Sequence, residues 1–158
     1  MSEPSPARVR PLARADVAAA AAIVAEGTLS AGVEHPERVD DYWAAARATR
    51  ECGGEVLVVE QDGEVVALCQ VLVFWHFQHT GGRCAELESV YVRADRRGRG
   101  LGGLLLGAAE ALARERGCYR VQLTSRHVRV DAHRFYRAHG YLATSEGFKK
   151  SLVGEDLA

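Results

Sequence analysis

Arg97-Gly98-Arg99-Gly100-Leu101-Gly102-Gly103 is the stretch on which the reading of this chain turns. It follows an apolar run ending at Val90-Tyr91-Val92 and opens into Leu104-Leu105-Leu106. The pattern predicts a strand, a glycine-rich turn and a helix N-terminus. The first turn of a helix leaves backbone N–H groups without intrahelical partners, and the macrodipole adds partial positive charge, so such a turn suits phosphate oxygens. Arg93, Arg96, Arg97 and Arg99 crowd the same place and mark an anion site. A dinucleotide, a nucleoside triphosphate and the pyrophosphate of coenzyme A are the three ligand classes compatible with it.

The rest of the composition narrows the setting. At 158 residues the chain is about one domain long, so a single domain over residues 1–158 is expected, with residues 1–7, rich in Pro and Ser, as a loose tail. A net charge of −1 gives no global basic excess and argues against nucleic acid as a partner. Cys52, Cys69, Cys84 and Cys118 are scattered without a C-x-x-C pair, and the N-terminus has no secretory apolar region. Reduced thiols in the cytoplasm are therefore expected, with neither a disulfide framework nor a zinc site. The apolar run Val71 to Phe77 is broken by His76 and falls short of the roughly 18 residues that would cross a bilayer, so no membrane partner is expected. His76, His79, His127, His133 and His139 form no H-x-x-x-H pair, and no metal is expected.

Along the chain, Val9 to Leu12 reads as a short first strand. Asp16 reads as the N-cap of a helix with Val17, Ala20, Ala21 and Val24 on one face, stopping at Gly27. Pro36 opens a second helix, with Val39, Tyr42, Trp43 and Ala46 at helical spacing, reaching about Cys52. Glu34, Glu37, Asp40 and Asp41 at its start form an acidic rim, which suits either a cationic substrate or simply the positive end of the helix dipole. Val56 to Val59 and Val65 to Phe74 are strands joined by the hairpin signal Asp62-Gly63, and a third strand runs from about Cys84 to Val92. Beyond the glycine turn, Leu101, Leu104, Leu105, Ala108, Ala109 and Leu112 predict a helix closed by Gly117. Val121 to Thr124 then completes a parallel crossover. Asp131 is placed to cap a short helix bearing Ala132, Phe135, Tyr136 and His139 and ended by Gly140, after which Tyr141–Ala143 and Phe148–Leu152 are expected to close the chain as a hairpin.

Context separates the three ligand classes. Gly98, Gly100 and Gly103 satisfy G-x-G-x-x-G, but that dinucleotide fingerprint belongs to the first βαβ unit of a doubly wound sheet. Here 97 residues precede Gly98 and only 55 follow Gly103. The next strand, Val121-Gln122-Leu123-Thr124-Ser125, ends on no acidic residue, and no Gly-Lys-Ser/Thr is present for a nucleoside triphosphate loop. The third class fits. Arg97-x-x-Gly100-x-Gly102, between a strand and a leucine-rich helix, resembles the acyl-CoA-binding motif of the GNAT superfamily of N-acyltransferases. Upstream, His79-Thr80-Gly81-Gly82-Arg83 and Glu86-Leu87-Glu88-Ser89-Val90-Tyr91-Val92 look like the loop and strand that lead into that motif. Downstream, Ala132-His133-Arg134-Phe135-Tyr136-Arg137-Ala138-His139-Gly140-Tyr141 looks like the family's second signature. The likeness covers about residues 79 to 141.

The resemblance implies an α/β (α+β) fold, with a mixed, mostly antiparallel central sheet flanked by helices. It implies an enzyme that moves an acetyl group from acetyl-CoA to a primary amine by direct attack in a ternary complex. The fourth and fifth strands splay apart in this family, and the pantetheine arm lies between them. On that pattern Arg97, Gly98, Arg99, Gly100, Leu101, Gly102 and Gly103 hold the pyrophosphate, and Val90, Tyr91 and Val92 pair with the arm like an added strand. Tyr136 matches the tyrosine that donates a proton to the leaving sulfur; a phenol with a reference pKa of ~10 is protonated at neutral pH. Glu88, on the strand parity of Val90 and Val92, matches an acid that takes the amine's proton, and desolvation there would raise its pKa. Orienting the substrate or pairing with an arginine are its other roles, and Glu86 shares its face. Many relatives carry an asparagine after the fifth strand; this chain has none, and Ser125 stands in its place. The acceptor, a small-molecule or peptide amine, is left open among a polyamine, an aminoglycoside-like cation, a protein N-terminus or lysine, and an aminophosphonate. Dimers are common among proteins of this kind. The alternative to an enzyme is a catalytically silent acyl-CoA-binding sensor.

Overall fold

The computed structural model describes residues 5–30 and 32–154. The chain divides between Gln122 and Leu123 into two compact units.

The first unit carries β1 (Arg8–Pro11), α1 (Val17–Gly27), α2 (Val39–Glu51), β2 (Glu55–Gln61), β3 (Glu64–Trp75), a single turn α3 (Gln78–Gly81), β4 (Arg83–Val92), α4 (Leu101–Glu115) and β5 (Cys118–Leu123), which ends at the division. The strands lie side by side in the order β1-β2-β3-β4-β5. The first three pairings are antiparallel. Gly82 lies against the Tyr119 ring, and Gln122 Nε2 donates to Glu86 at 2.8 Å, so the residues of β4 and β5 advance together. That makes β5 parallel to β4, as a strand–helix–strand crossover through α4 requires.

Chain pattern explains the layers. In β2, Val56 and Val58 join Val17, Ala20 and Ile23 of α1 and Ala46 of α2 in one cluster. Successive strand side chains point to opposite faces, so the equally buried Leu57 and Val59 face the other side of the sheet. α4 packs on β3, β4 and β2 and buries Leu105, Leu106 and Ala109. Each fully buried Leu or Val is worth about 1.5–3 kcal/mol, which is why the central strands read as nearly unbroken apolar runs.

The β2–β3 turn takes φ of 55° at Asp62 and 76° at Gly63, the two positive values that a two-residue primed hairpin needs. The same turn also engages Ser5. The Ser5 amide and hydroxyl both donate to the Asp62 carboxylate, at 2.8 and 3.0 Å, so Ser5 is tied to the hairpin; residues 1–4 lie outside the described residues. Asp16 occupies the N-cap position of α1 but makes no side-chain capping bond to that helix. Its carboxylate accepts from the Ala13 amide at 2.8 Å and binds Arg10 at 2.6 and 2.9 Å, fixing the 3-10 turn before the helix. The Arg10 guanidinium holds the Asp16 carboxyl below the usual carboxylate range. α2 begins at Val39 rather than near Pro36, with no side-chain cap at Arg38. Gly27, the last residue of α1, is pressed against β4: a Cβ there would lie 2.3 Å from Tyr91 Cδ1.

The second unit is built around α5 (Val130–Ala138). Arg129 occupies the N-cap and Asp131 instead pairs with Arg134 at 3.3 Å, so the expected aspartate cap is not made. The helix ends at Ala138 and turns through His139 and left-handed Gly140, with the His139 and Tyr141 amides both donating to the Tyr136 carbonyl at 3.0 Å. The closing hairpin is absent: residues 141–150 have no regular secondary structure, and Leu142, Phe148 and Leu152 are exposed. Phe148 and Leu152 are separated by Lys149-Lys150-Ser151, so no apolar face of period two exists to seat a strand. Among the described residues no helix is long and apolar enough to cross a membrane.

Candidate active site

The glycine turn has the shape its sequence predicts. Gly98 and Gly100 take φ of 73° and 78°, and Gly100 occupies the N-cap of α4. A Cβ at either would meet nothing within 4 Å, so the left-handed backbone, not crowding, calls for glycine. The first helical bond is Leu104 N–H to the Gly100 carbonyl, at 3.1 Å. The amides of Leu101, Gly102 and Gly103 precede it and have no acceptor within the helix.

The four arginines divide into two kinds. Arg93 binds Asp95 at 2.7 Å and Glu64 at 3.1 Å, and Arg96 lies 3.4 Å from Asp62. Arg93 also holds the Asp95 carboxyl below its ordinary range. These two arginines tie the turn to the β2–β3 hairpin. Arg97 donates to the Val92 carbonyl at 3.0 Å and Arg99 to the Asp95 carbonyl at 3.3 Å. Neither meets a carboxylate among the described residues, so the charge left for an anion belongs to Arg97 and Arg99.

Just upstream, β4 is irregular. Leu68 pairs with Tyr91 but Gln70 with Glu88, so Ser89 and Val90 together oppose Cys69 in a β-bulge, with Ser89 at φ 51°. The bulge breaks the alternation that put Glu88 on the face of Val90 and Val92. Glu88 is exposed, while Val90, Tyr91 and Val92 are half-buried. Glu86 shares the face of Glu88, as expected, and accepts from Gln122. β5 stops at Leu123, one residue past that contact, whereas β4 continues to Val92.

Ser89 also lines a cavity of about 220 Å³ under α1 and α2, together with Val24, Glu34, Tyr42, Leu68 and Gln70. The Tyr42 hydroxyl donates to Glu34 at 2.5 Å and accepts from the His35 amide at 3.2 Å; burial, with Glu34 adding to it, raises the phenol's pKa. Gln70 donates to the buried Thr49 hydroxyl at 2.7 Å, which itself donates to the Ala45 carbonyl at 2.9 Å. Two acids of the rim are paired with arginines. Asp40 binds Arg14 and Asp41 binds Arg38, each at 2.6 Å, and Glu37 lies 3.2 Å from His35. Of the four acids only Glu34 lines the cavity. Tyr42, Gln70 and Ser89 were not singled out from the sequence as site residues; Gln70, a lone polar residue inside the Val65–Phe74 run, is the signal that was there to find.

In the second unit, Tyr136 is half-buried on α5, with its ring edge-to-face on Phe135 and on Tyr141, at 5.3 and 5.8 Å between centroids. Ser125 is half-buried in the loop after β5. In the first unit His76 Nδ1 meets the Tyr119 hydroxyl and His79 packs on that ring at 4.3 Å. Among the described residues no group of three or more His, Cys, Asp and Glu is placed to hold a metal ion. Burial pushes the Cys69 thiol up to about 12, which leaves it an unreactive core group.

A bulged strand, a left-handed glycine turn and an amide-bearing helix N-terminus are thus joined in one first unit. The model of the acetyltransferase (GNAT) family matches residues 21–141. The chain belongs to the GNAT acetyltransferase family. It is 34% identical over 92 residues to an aminoalkylphosphonate N-acetyltransferase of Salmonella typhimurium, a match spanning 58% of this chain and 59% of that relative. Among solved structures this GNAT chain is similar to a transcriptional regulator from Bacillus halodurans C-125, with TM-score 0.84 and 29% identity over 92% of this chain and 99% of that one. It also shares the fold of glucosamine-6-phosphate N-acetyltransferase from Arabidopsis thaliana, with TM-score 0.79 and 22% identity over 94% and 99%.

Proposed function

We propose that this GNAT chain moves the acetyl group of acetyl-CoA to a primary amine by direct attack in a ternary complex. The observation that carries the reading is the glycine turn: left-handed Gly98 and Gly100 present the amides of Leu101, Gly102 and Gly103, and Arg97 and Arg99 lack carboxylate partners among the described residues. Such a turn fits the pyrophosphate of acetyl-CoA. The backbone of Val90, Tyr91 and Val92 continues beyond the end of β5 and suits pairing with the pantetheine arm. Ser125 takes the polar role beside the arm that relatives give to asparagine.

The chemistry balances in one displacement. The amine nitrogen bonds to the thioester carbonyl carbon, the carbon–sulfur bond breaks, and the proton lost from nitrogen is matched by one gained on sulfur. Exposed Glu88 takes the first proton through water, and the Val90 amide steadies the developing oxyanion. Tyr136 supplies the proton to sulfur. The test is thiol release from acetyl-CoA over a panel of primary amines, beside calorimetric binding of acetyl-CoA. Release that needs both substrates is expected. Tight binding without release on any amine would replace the enzyme by a sensor, and absence of binding would remove both readings.

A further inference from the structure

The cavity under α1 and α2 has a one-sided chemistry. Its walls are apolar, from Ala20 and Val24 of α1, Ala46 of α2, and Leu68 of β3. Among the described residues the one charged group in its lining is the Glu34 carboxylate, with no Lys, Arg or His beside it. Asp40 and Asp41 at the start of α2 are paired with Arg14 and Arg38, and Glu37 lies outside the lining. Ser89, which immediately precedes the Val90–Val92 backbone, is also part of its lining. An apolar cavity of roughly 150 Å³ already takes a benzene ring. At about 220 Å³ this one has room for a ring or a short alkyl chain and little more.

We infer that the acceptor site selects a compact apolar primary amine, an alkyl- or arylalkylamine, and discriminates against phosphonate-bearing amines and polyamines. The inference rests on the acetyltransferase reading above and names the substrate class of that site. A phosphonate placed here would lie near Glu34 with no cation among the described lining residues to neutralise it, and an unpaired charge taken from water is costly. A polyamine would place second and third ammonium groups against Leu68 and Val24. A single amine that enters past Glu34 and reacts beside Ser89, with its hydrocarbon body against α1, leaves no second charge to bury.

The experiment compares kcat/KM for phenethylamine and hexylamine with that for spermidine and 2-aminoethylphosphonate, on wild type and Glu34→Gln. Calorimetry follows phenethylamine binding to the protein saturated with CoA. The apolar amines are expected to be favoured at least about 10-fold, and Glu34→Gln is expected to raise the KM for phenethylamine about 10-fold or more, the scale of one lost charged hydrogen bond. Preference for 2-aminoethylphosphonate or spermidine, an unchanged KM in Glu34→Gln, or no saturable binding of phenethylamine would each overturn the inference. Failure of acetyl-CoA itself to bind would instead overturn the acetyltransferase reading, so the two failures are told apart.

Discussion

At the start of α4 the groups that face an anion are backbone amides, set by the dihedral angles of Gly98 and Gly100, whereas in the cavity under α1 and α2 the polar groups are the side chains of Glu34, Tyr42, Gln70 and Ser89. The first arrangement needs only a strand, two left-handed residues and a helix, so it is written in consecutive residues. The second is assembled from four separate elements whose side chains meet only in the fold. On the proposed reading, donor recognition should be tolerant of side-chain change and intolerant of backbone change, and acceptor recognition the reverse. A family can keep one donor on such a plan and vary its acceptors by surface and cavity substitutions.

Breaking the chemistry itself should give the largest effect. Tyr136→Phe is expected to lower kcat about 100-fold or more while leaving acetyl-CoA affinity near that of wild type, as steady-state kinetics and calorimetry will show; an unchanged kcat with chemistry rate-limiting removes Tyr136 as the acid. The donor side is probed next. Gly100→Val forces a branched residue to φ 78° and should weaken acetyl-CoA binding about 10-fold, from a left-handed penalty of about 1–2 kcal/mol. Arg97→Ala or Arg99→Ala should cost only about two- to five-fold each, the scale of an exposed charge near a helix N-terminus. Larger losses in the arginine variants than in Gly100→Val would reverse the backbone account.

Two stability measurements then sharpen how the regions are joined. Gly27→Ala places a Cβ 2.3 Å from the Tyr91 ring, between α1 and β4, and should destabilise the fold by about 1–3 kcal/mol in denaturant titration. No change would mean that α1 and β4 are not rigidly packed there. Asp16→Asn should cost less, about 1 kcal/mol at neutral pH. Because Arg10 holds the Asp16 carboxyl below its unfolded value, its stabilisation is present above the usual carboxylate pKa and is lost as pH falls through the lower folded one. The difference between wild type and variant should accordingly shrink below about pH 4; a difference that persisted there would exclude the ion pair as its source.

Local signals made much of the first unit readable. Asp62-Gly63 located the β2–β3 hairpin, and the order of strands and helices through α4 and β5 followed from apolar spacing. The glycine turn was legible because its conformation is demanded by its own residues. Other features depend on distant partners. The bulge at Ser89 is a register shift against β3, and Glu-Ser-Val alone carries no sign of it, so the parity assigned to Glu88 did not survive. Asp40 reads as a free acid until Arg14, 26 residues earlier, is found beside it. The closing hairpin was drawn from scattered aromatic and aliphatic residues at 141–152 that lack the period-two face of a strand.

The claim that the glycine turn binds a pyrophosphate is tested most directly by calorimetric titration of wild-type protein with acetyl-CoA and with acetyl-pantetheine, which lacks the pyrophosphate and nucleotide. A loss of affinity of about 100-fold or more for acetyl-pantetheine, recovered when 4′-phosphopantetheine is extended to the pyrophosphate-bearing dephospho-CoA ester, is the predicted result. Equal affinity for acetyl-CoA and acetyl-pantetheine would contradict it.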